Sequence, residues 1–471
     1  MTDEKQRPAA DRSMTESAAR AFVVPLALAQ FIASYAASNM SVAISSIADD
    51  LGTTIGGVQL AITLFTLTMA SLMIPGSKLT DLWGRKRCFL IGLCIYGSGA
   101  VAAAFAPGLP LLIVGYSLLE GVGSALMIPP IYILITVIFS ETSKRARYFG
   151  VVSASAGLGA AAGPLIGGFI TSWIGWRASF LAQALAVGYA IHRTRRAADP
   201  PEAADRQPFD VTGAVLSAAG LFAIVLGVQM TGSHGWDSLF PVWTSLALGA
   251  LILYGFVRHL HAREHAGREP LLATRLFRSK VSNLGLATQL IQWLTLQGGF
   301  FVISVFLQRV WGYDAIGTGL MLTPATVGIL AASAAAARMA ARRSQRTLVA
   351  GGFAVSFLGT ALLLVFVRED PSPWTFVPGL LILGSGVGVM LTASVNVVQS
   401  AFGEQDQGEI SGLSRSASNL GSSLGVALVG SIMVAASQPD GRPYALSLVV
   451  LQAIALLGLA AALCLPRPSR R

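Results

Sequence analysis

The sequence predicts an all-α polytopic membrane protein in which two six-helix bundles are joined by two extra inserted spans, giving fourteen transmembrane helices. Three observations predict this class. Of the 471 residues, 54% are hydrophobic and only 12% are charged, whereas soluble domains contain about 25% charged residues. Apolar windows of about 20 residues, each able to cross about 30 Å of hydrocarbon as a helix, recur along the whole chain. The basic residues are concentrated in alternate loops.

The predicted spans follow one another with short polar connections. They cover residues 22–45, 56–76, 88–106, 110–138, 149–172, 174–192, 211–231, 241–259, 281–308, 317–337, 348–367, 374–400, 416–436 and 444–465. The sixth is the weakest, because a basic run from His192 to Arg196 cuts it short. An even number of spans places both termini on the same side of the membrane.

The basic residues give this topology an orientation. All but four of the 33 Lys and Arg residues fall on the side of the termini, and the exceptions are Arg177, Arg309, Arg368 and Arg442. Because basic loops stay in the cytoplasm, we expect a multi-pass protein of the cell (inner) membrane with both termini cytoplasmic. The same asymmetry accounts for the net charge of +10. The expected partner is therefore the lipid bilayer and not nucleic acid.

Two polar stretches divide the predicted spans into groups. Residues 193–210 are rich in Arg, Asp and Pro, and residues 258–280 are basic. They bracket one pair of spans and leave six before and six after, a layout typical of duplicated transporters. The predicted units are a cytoplasmic tail (1–20), an N-terminal six-helix bundle (21–196), a linker with two inserted spans (197–270) and a C-terminal six-helix bundle with a short cytoplasmic tail (271–471).

Polar side chains recur at helical spacing within four spans, the first and fourth of each group of six. Polar groups are costly in lipid, so these stripes mark helix faces that avoid it. Together they predict a polar substrate cavity, although helix packing remains the alternative for any single serine. The predicted lining residues are Gln30, Ser34, Ser38, Ser41, Ser117, Ser124, Gln289, Gln292, Trp293, Gln297, Thr392 and Asn396.

Glu120 is the one acid among 23 that falls inside a predicted span and not in a tail, a loop or a span end. A charged side chain near the bilayer centre costs about 2.5–3.5 kcal/mol on insertion scales, and burial disfavours the charged form of a carboxyl. Such a group can take up and release a proton as access alternates between the two sides. Glu120 is thus the candidate for proton coupling, and a neutral Glu hydrogen-bonded to a neighbouring helix is the alternative.

Two short motifs lie at the ends or inside of spans. The loop after the second span contains Leu79, Asp81, Gly84, Arg85 and Lys86, and the fifth span contains Gly159, Gly163, Pro164, Gly167 and Gly168. An Asp at a helix end can bond helix N-termini or Arg side chains, and a Gly permits a tight turn. Glycines within a span expose backbone for close helix contact, and a Pro bends the helix.

In these motifs the chain resembles the major facilitator superfamily, and within it the fourteen-span drug:proton antiporters. The likeness covers nearly the whole chain, because Trp176-Arg177, Phe209-Asp210 with Gly213, and residues 408–425 also follow the family pattern in order. The resemblance implies a major facilitator fold, a cytoplasmic gating loop formed by Asp81, Gly84, Arg85 and Lys86, and an antiporter motif in the fifth span. It also implies export in exchange for protons.

Three positions depart from the family pattern. The usual acid of the first span falls on Ala36, the usual Arg of the fourth span falls on Ser117, and the aromatic residue that often follows Gln59 is Leu60. The standard proton-handling pair is therefore missing. Either Glu120 has taken over its role, or the coupling is weakened or different.

These observations predict a secondary active transporter that exports small hydrophobic or amphipathic compounds, such as drugs and antibiotics, in exchange for protons by alternating access. A specific metabolite exporter or a solute importer on the same fold is the alternative, because the fold does not separate them. A scaffold or sensor is a third hypothesis, against which the intact loop and fifth-span motif argue. No nucleophile–base constellation, phosphate loop or metal-ligand spacing occurs, so no enzyme, cofactor or metal is expected. The partners expected are a small-molecule substrate and protons, and the protein is expected to be monomeric.

Overall fold

The computed structural model describes residues 16–139, 142–196, 209–233, 240–339, 343–366, 373–402, 407–435 and 442–466. Residues 1–15 of the predicted tail and residues 197–208 of the predicted linker lie outside this part of the chain. Within the described residues the secondary structure is helical, with turns between the helices. The all-α prediction is confirmed.

The helices follow the order of the predicted spans. Their bounds are α1 Glu16–Asn39, α2 Ile44–Asp50, α3 Ile55–Trp83, α4 Arg85–Ala104, α5 Leu109–Leu112, α6 Gly121–Ile138, α7 Thr142–Trp173, α8 Trp176–Arg196, α9 Val211–Ser233, α10 Phe240–His265, α11 Lys280–Arg309, α12 Ala315–Met339, α13 Gln345–Phe366, α14 Phe376–Gln399, α15 Gln407–Ala435 and α16 Arg442–Leu463. A π-helical segment, Ile113–Glu120, joins α5 to α6.

Thirteen helical stretches of the described chain are long and apolar enough to cross a membrane. They match every predicted span except the sixth, where α8 forms but is too polar to meet that criterion. Two polar residues of α8, Ser179 and Gln183, are buried and bonded to neighbouring helices. Ser179 Oγ lies 2.8 Å from the Nδ2 of Asn39, and Gln183 Oε1 accepts a 2.6 Å hydrogen bond from the hydroxyl of Tyr96. The helix α8 is therefore packed against α1 and α4, while the basic residues at its end, from His192 to Arg196, lower its apolar content.

The predicted first span is two helices, because the chain turns between the end of α1 and the start of α2. This corrects the prediction of one polar stripe on one helix: Ser38 ends the stripe on α1, Ser41 lies in the turn and Ser45 lies on α2. The side chain of Gln308, at the end of α11, forms hydrogen bonds with the backbone around the turn between α1 and α2. Its Oε1 accepts from Ser45 N at 3.1 Å, and its Nε2 donates to Ser41 O at 3.3 Å.

The helix α15 begins well before the predicted start of the thirteenth span at residue 416. Its first turns contain Glu409 and Arg415, charged residues that the predicted span left out. Both are bonded to helices from the other end of the chain, as described below.

Helix pairs that join the N-terminal helices (α1–α8) to the C-terminal helices (α11–α16) include α3 with α15, α6 with α15, α7 with α12, and α1–α2 with α11. The inserted helix α9 packs on α10 and also on both α3 and α15. We call the side that carries the α3–α4 turn and the start of α1 the near side. The opposite side, where Asp50 forms an ion pair with Arg177, is the far side.

Candidate functional site

The gating loop predicted from the sequence is the tight turn between α3 and α4 on the near side. Gly84 has a φ of +87°, a left-handed conformation that residues with a Cβ adopt only with strain. Arg85 and Lys86 form the first turn of α4. Asp81 lies in the last turn of α3, but its side chain is outside the described part of the structure, so its role stays a prediction.

An ion pair links α3 to α15 beside this loop. Lys78 Nζ lies 2.7 Å from Glu409 Oε1 and 3.9 Å from Glu269 Oε2. The other oxygen of Glu409 accepts a 3.0 Å hydrogen bond from the backbone N–H of Ala273, which precedes α11. At their near-side ends, α3 and α15 are therefore joined by an ion pair. Sequence reasoning missed this pair, whose only signal was a base and an acid near helix ends 331 residues apart.

The fifth-span motif forms a tight contact between α7 and α1. Gly159, Gly163 and Gly167 face α1 so closely that an added Cβ on any of them would lie within 2.7 Å of its atoms. The hydroxyl oxygen of Ser38 on α1 lies 3.4 Å from the carbonyl oxygen of Gly159 and 3.2 Å from that of Tyr35 in its own helix. These glycines therefore fix α7 against its own group of helices.

The same motif also contacts the C-terminal helices. A Cβ on Gly168 would lie 2.4 Å from the carbonyl oxygen of Ala315 on α12, and a Cβ on Gly319 would lie 2.6 Å from the carbonyl oxygen of Pro164. One turn closer to the membrane centre, Thr326 Oγ1 donates to the carbonyl of Ala161. The far-side half of α7 is thus packed between α1 and α12, backbone against backbone.

A second far-side contact joins α1 to α11. Gln297 Nε2 donates to the carbonyl of Ala37 at 2.9 Å, and Gln308 bonds the turn after α1 as described above. The side chains of α11 from Leu294 to Gln308 are buried without interruption. The far-side half of α11 is therefore enclosed by the N-terminal and the C-terminal helices.

On the near side, polar groups of three helices meet between the two groups. The hydroxyl of Tyr132 on α6 donates to Gln30 Oε1 on α1 at 3.3 Å, and the guanidinium of Arg415 on α15 donates to the same hydroxyl. The guanidinium carbon of Arg415 lies 5.2 Å from the centroid of the Tyr132 ring. The sequence analysis singled out neither Tyr132 nor Arg415. The predicted thirteenth span begins one residue after Arg415.

The predicted glutamines of α11 are fixed by serines of the neighbouring helices. Gln289 Oε1 accepts from Ser414 Oγ at 2.7 Å, and Gln292 Oε1 accepts from Ser394 Oγ at 2.8 Å. Both glutamines are buried, and neither Nε2 has a hydrogen-bond partner among the described residues. Each amide therefore keeps a free donor.

The remaining predicted lining residues occupy several environments. Trp293 and Asn396 are half-buried, as is Ser34, which accepts a 3.5 Å hydrogen bond from Gln30. The side chain of Thr392 lies outside the described part of the structure.

Two of the predicted serines lie within the N-terminal helices: Ser117 contacts α3, and Ser124 is buried. Ser117 donates to the carbonyl of Ala61 on α3 at 2.8 Å, while Ser124 is buried and has no partner in the part of the chain described. Like Ser38, Ser117 joins helices within the N-terminal group.

Glu120 is fully buried inside the N-terminal helices. Neither carboxyl oxygen has a hydrogen-bond partner of ordinary length among the described residues, although Tyr96 on α4 lies close enough to interact with it. Glu120 ends the π-helical segment, and π turns within helices are frequent at functional sites. In the same segment, Tyr116 donates to the carbonyl of Ala36 at 3.0 Å. The position of the missing first-span acid therefore lies against the segment that ends in Glu120.

Comparison with known families identifies this arrangement. A family model described as the Major Facilitator Superfamily matches residues 26–213 and again residues 211–426. The chain belongs to the Major Facilitator Superfamily. It is therefore a multi-pass membrane transporter of small molecules and not an enzyme, as predicted.

Relatives within the Major Facilitator Superfamily include named transport and resistance proteins of actinomycetes. The chain is 29% identical over 403 residues to the "Probable actinorhodin transporter" of Streptomyces coelicolor, which covers 83% of this chain and 68% of the relative. It is 28% identical over 450 residues to the "Cephamycin export protein CmcT" of Amycolatopsis lactamdurans, covering 95% and 91%. Such relatives confirm the resemblance to the drug-efflux branch of the superfamily.

Solved structures support the fold. The crystal structure of peptide transporter POT in complex with sulfate superposes with a TM-score of 0.66 and 14% sequence identity, covering 93% of this chain and 94% of the other. At that identity the likeness shows the major facilitator fold alone.

Proposed function

We propose that this transporter exports small hydrophobic or amphipathic compounds, drugs and antibiotics among them, in exchange for protons by alternating access. In this proposal the protein lies in the cytoplasmic membrane with its near side and both termini in the cytoplasm. The single observation that carries the proposal is Glu120, a fully buried acid whose carboxyl oxygens have no hydrogen-bond partner of ordinary length among the described residues.

A carboxylate in an apolar interior with few compensating hydrogen bonds is strongly disfavoured, which supports a protonated Glu120 while the site is closed to water. Releasing that proton requires water to reach the site. The π-helical segment that ends in Glu120 is a local irregularity between α1 and α4, and movement there is a route by which water could enter. Glu120 is therefore proposed to bind a proton when the site opens to one side and release it on the other.

The contacts between the two groups of helices support alternating access. On the far side the groups meet through backbone and small side chains, as between Gly168 and Ala315. On the near side they meet through the ion pair of Lys78 and Glu409. A rocking motion would break one set while keeping the other, and interfaces of this kind are bistable and not continuously deformable.

Outward transport of drug-like compounds is supported by the relatives. Among them are the "Puromycin resistance protein pur8" of Streptomyces alboniger and the cephamycin export protein named above, and both names describe removal of a compound or resistance to it. We extend that direction of transport to this chain as part of the proposal.

A carrier specific for one metabolite, whether exporter or importer, is the second candidate. It is favoured by Ala36 and Ser117, which stand where the drug:proton antiporters usually have an acid and an Arg. Several relatives are also named for a single compound.

The test uses the purified protein in vesicles with an imposed pH gradient and a panel of dyes and antibiotics. The expected result is gradient-driven movement by the wild type and its loss in Glu120→Gln, with downhill equilibration of the same compound retained. Gradient-driven movement that survives the substitution undamaged would remove Glu120 as the proton carrier. Movement of only one panel member would favour the specific carrier.

A further inference from the structure

Arg415 is a membrane-embedded cation that the mechanism above does not use. It lies six residues inside the apolar stretch of α15 that begins at Glu409, or about 9 Å along the helix. In the described membrane-crossing stretches of the N-terminal and C-terminal helices, Arg415 and Glu120 are the charged residues that lie away from the helix ends. A charge at such a position marks a functional site by default.

Arg415 makes no salt bridge with a carboxylate in the described part of the chain. Its contacts are the hydroxyl and the ring of Tyr132. A phenol hydroxyl is neutral, and the face of its ring attracts a cation only weakly compared with a carboxylate. Glu120 does not compensate the charge, because it is enclosed within the N-terminal helices. Within the described residues, the positive charge of Arg415 is therefore held in place but not paired with a carboxylate.

The residues around Arg415 supply donors to a ligand. Ser414, its neighbour in sequence, donates to the carbonyl oxygen of Gln289, so the Nε2 of that amide is left without a partner among the described residues. Gln289 is fully buried, and a buried amide donor without a partner is unfavourable unless a ligand or water accepts from it. The cation of Arg415 and an amide donor held by the preceding residue in the chain are both groups that suit an anion.

Arg415 also connects the two groups of helices. The chain of contacts from Arg415 to Tyr132 and from Tyr132 to Gln30 runs from α15 through α6 to α1. Arg415 and Tyr132 are both half-buried, so solvent reaches them. An anion that takes the N–H group now donated to the Tyr132 hydroxyl would weaken a contact between the two groups of helices.

We propose that Arg415 is the recognition site for the anionic group of the substrate, and that the transporter selects aromatic or amphipathic compounds bearing a carboxylate or similar acid over neutral and cationic ones. This proposal deepens the proposed function and rests on the chain being a carrier of such compounds. Binding of the anion in place of Tyr132 opens the near-side contact between α15 and α6, which links recognition to the rocking of the two groups.

The test compares three probes that share one fluorophore and differ in charge: dansylglycine (anionic), dansylamide (neutral) and dansylcadaverine (cationic). Saturable binding to the purified full chain in nanodiscs is measured by equilibrium dialysis against empty nanodiscs. The wild type is expected to bind dansylglycine at least about tenfold more tightly than dansylamide, as expected for a hydrogen-bonded charge pair, with dansylcadaverine the weakest. Equal binding of the three, preference for the cation, or no saturable binding of dansylglycine overturns the proposal.

Substitutions then assign the preference to Arg415. Arg415→Gln is expected to lose about tenfold or more in dansylglycine affinity with dansylamide affinity within about twofold, while Arg415→Lys keeps the order of the probes. The matched control is Arg258→Gln, which removes an exposed Arg that lies 3.5 Å from the hydroxyl of Tyr254 on α10, and it should change nothing. An undiminished preference in Arg415→Gln contradicts the proposal.

If Arg415→Gln does not fold, Tyr132→Phe still tests the proposal, because it keeps Arg415 and removes the hydroxyl bonded to it. That variant is expected to bind dansylglycine several-fold more tightly, whereas a purely structural hydroxyl would give equal or weaker binding. The dialysis uses no gradient and no transport. Anion preference without gradient-driven movement would therefore defeat the proposed proton exchange alone, and gradient-driven movement without anion preference would defeat the Arg415 proposal alone.

Discussion

Substitution of Gly168 by Ala tests whether the α7–α12 contact is part of the transport cycle. The added Cβ would lie 2.4 Å from the carbonyl oxygen of Ala315, whereas ordinary contacts of this kind begin at 3.4 Å. Both atoms belong to rigid helical backbone, so α7 and α12 must separate by about 1 Å at this point. Overpacking of this kind costs about 1–3 kcal/mol.

If the contact forms only when the far side is closed, this cost disfavours that conformation alone. A change of about 1–3 kcal/mol corresponds to a shift of about 5- to 150-fold in the equilibrium between the two conformations. We therefore expect the turnover of Gly168→Ala in vesicles to fall at least about fivefold. The melting temperature of the purified variant, measured in parallel, separates loss of transport from loss of fold.

The matched control is Gly157→Ala in the same helix, where an added Cβ meets nothing within 4 Å. Ala stabilises a helix relative to Gly by about 0.8–1.0 kcal/mol, so this variant should transport normally and melt no lower than the wild type. Wild-type turnover in Gly168→Ala, or equal damage in Gly157→Ala, would refute the reasoning.

Three further predictions concern the near side. Gly84→Ala places a Cβ at a φ of +87° in otherwise open space, so it should destabilise the protein by about 1–2 kcal/mol in denaturation experiments; an unchanged midpoint contradicts the strained turn. The pair of Lys78 and Glu409, with 22% of each side chain exposed, should show a coupling free energy of about 0.5–1 kcal/mol in a double-mutant cycle. Zero coupling would show that this ion pair does not hold α3 against α15. Burial of Asp210 opposes its ionisation, but hydrogen bonds from backbone N–H groups and from His259 lower its pKa below the ordinary value. The ionised form therefore stabilises the fold fully above the ordinary carboxyl pKa, and this contribution is lost as the pH falls through the lowered pKa of the folded protein. Asp210→Asn should remove this part of the acid sensitivity of the melting temperature, and an unchanged pH profile would argue against it.

The helical architecture could be predicted from the sequence because the bilayer imposes it. Each apolar stretch of sufficient length must satisfy its backbone internally, and a helix is the simple way to do so. The exception is informative: α8 is too polar for the criterion, yet it is a helix of the fold whose buried Ser179 and Gln183 bond α1 and α4. Local hydropathy does not contain that information.

The candidate site could be predicted only in part. Glu120 and the fifth-span glycines were found from their residue type and position, because an acid or a run of glycines in a span is conspicuous. The break after α1 is bonded by Gln308, and Arg415 inside α15 is bonded to Tyr132. Partners so distant in sequence leave no local pattern, and the π-helical segment at Glu120 likewise has no residue signature in the chain.

The measurement that tests the central claim most directly is proton flux during transport. Vesicles containing the protein and an entrapped pH-sensitive dye are given a compound that the panel shows to be carried, with no gradient imposed. The account predicts that the compound moving one way drives protons the other way, and that Glu120→Gln abolishes this flux while Asp49→Asn, an exposed acid on α2, leaves it intact. Movement of the compound without proton flux, or flux that persists in Glu120→Gln, would contradict the account.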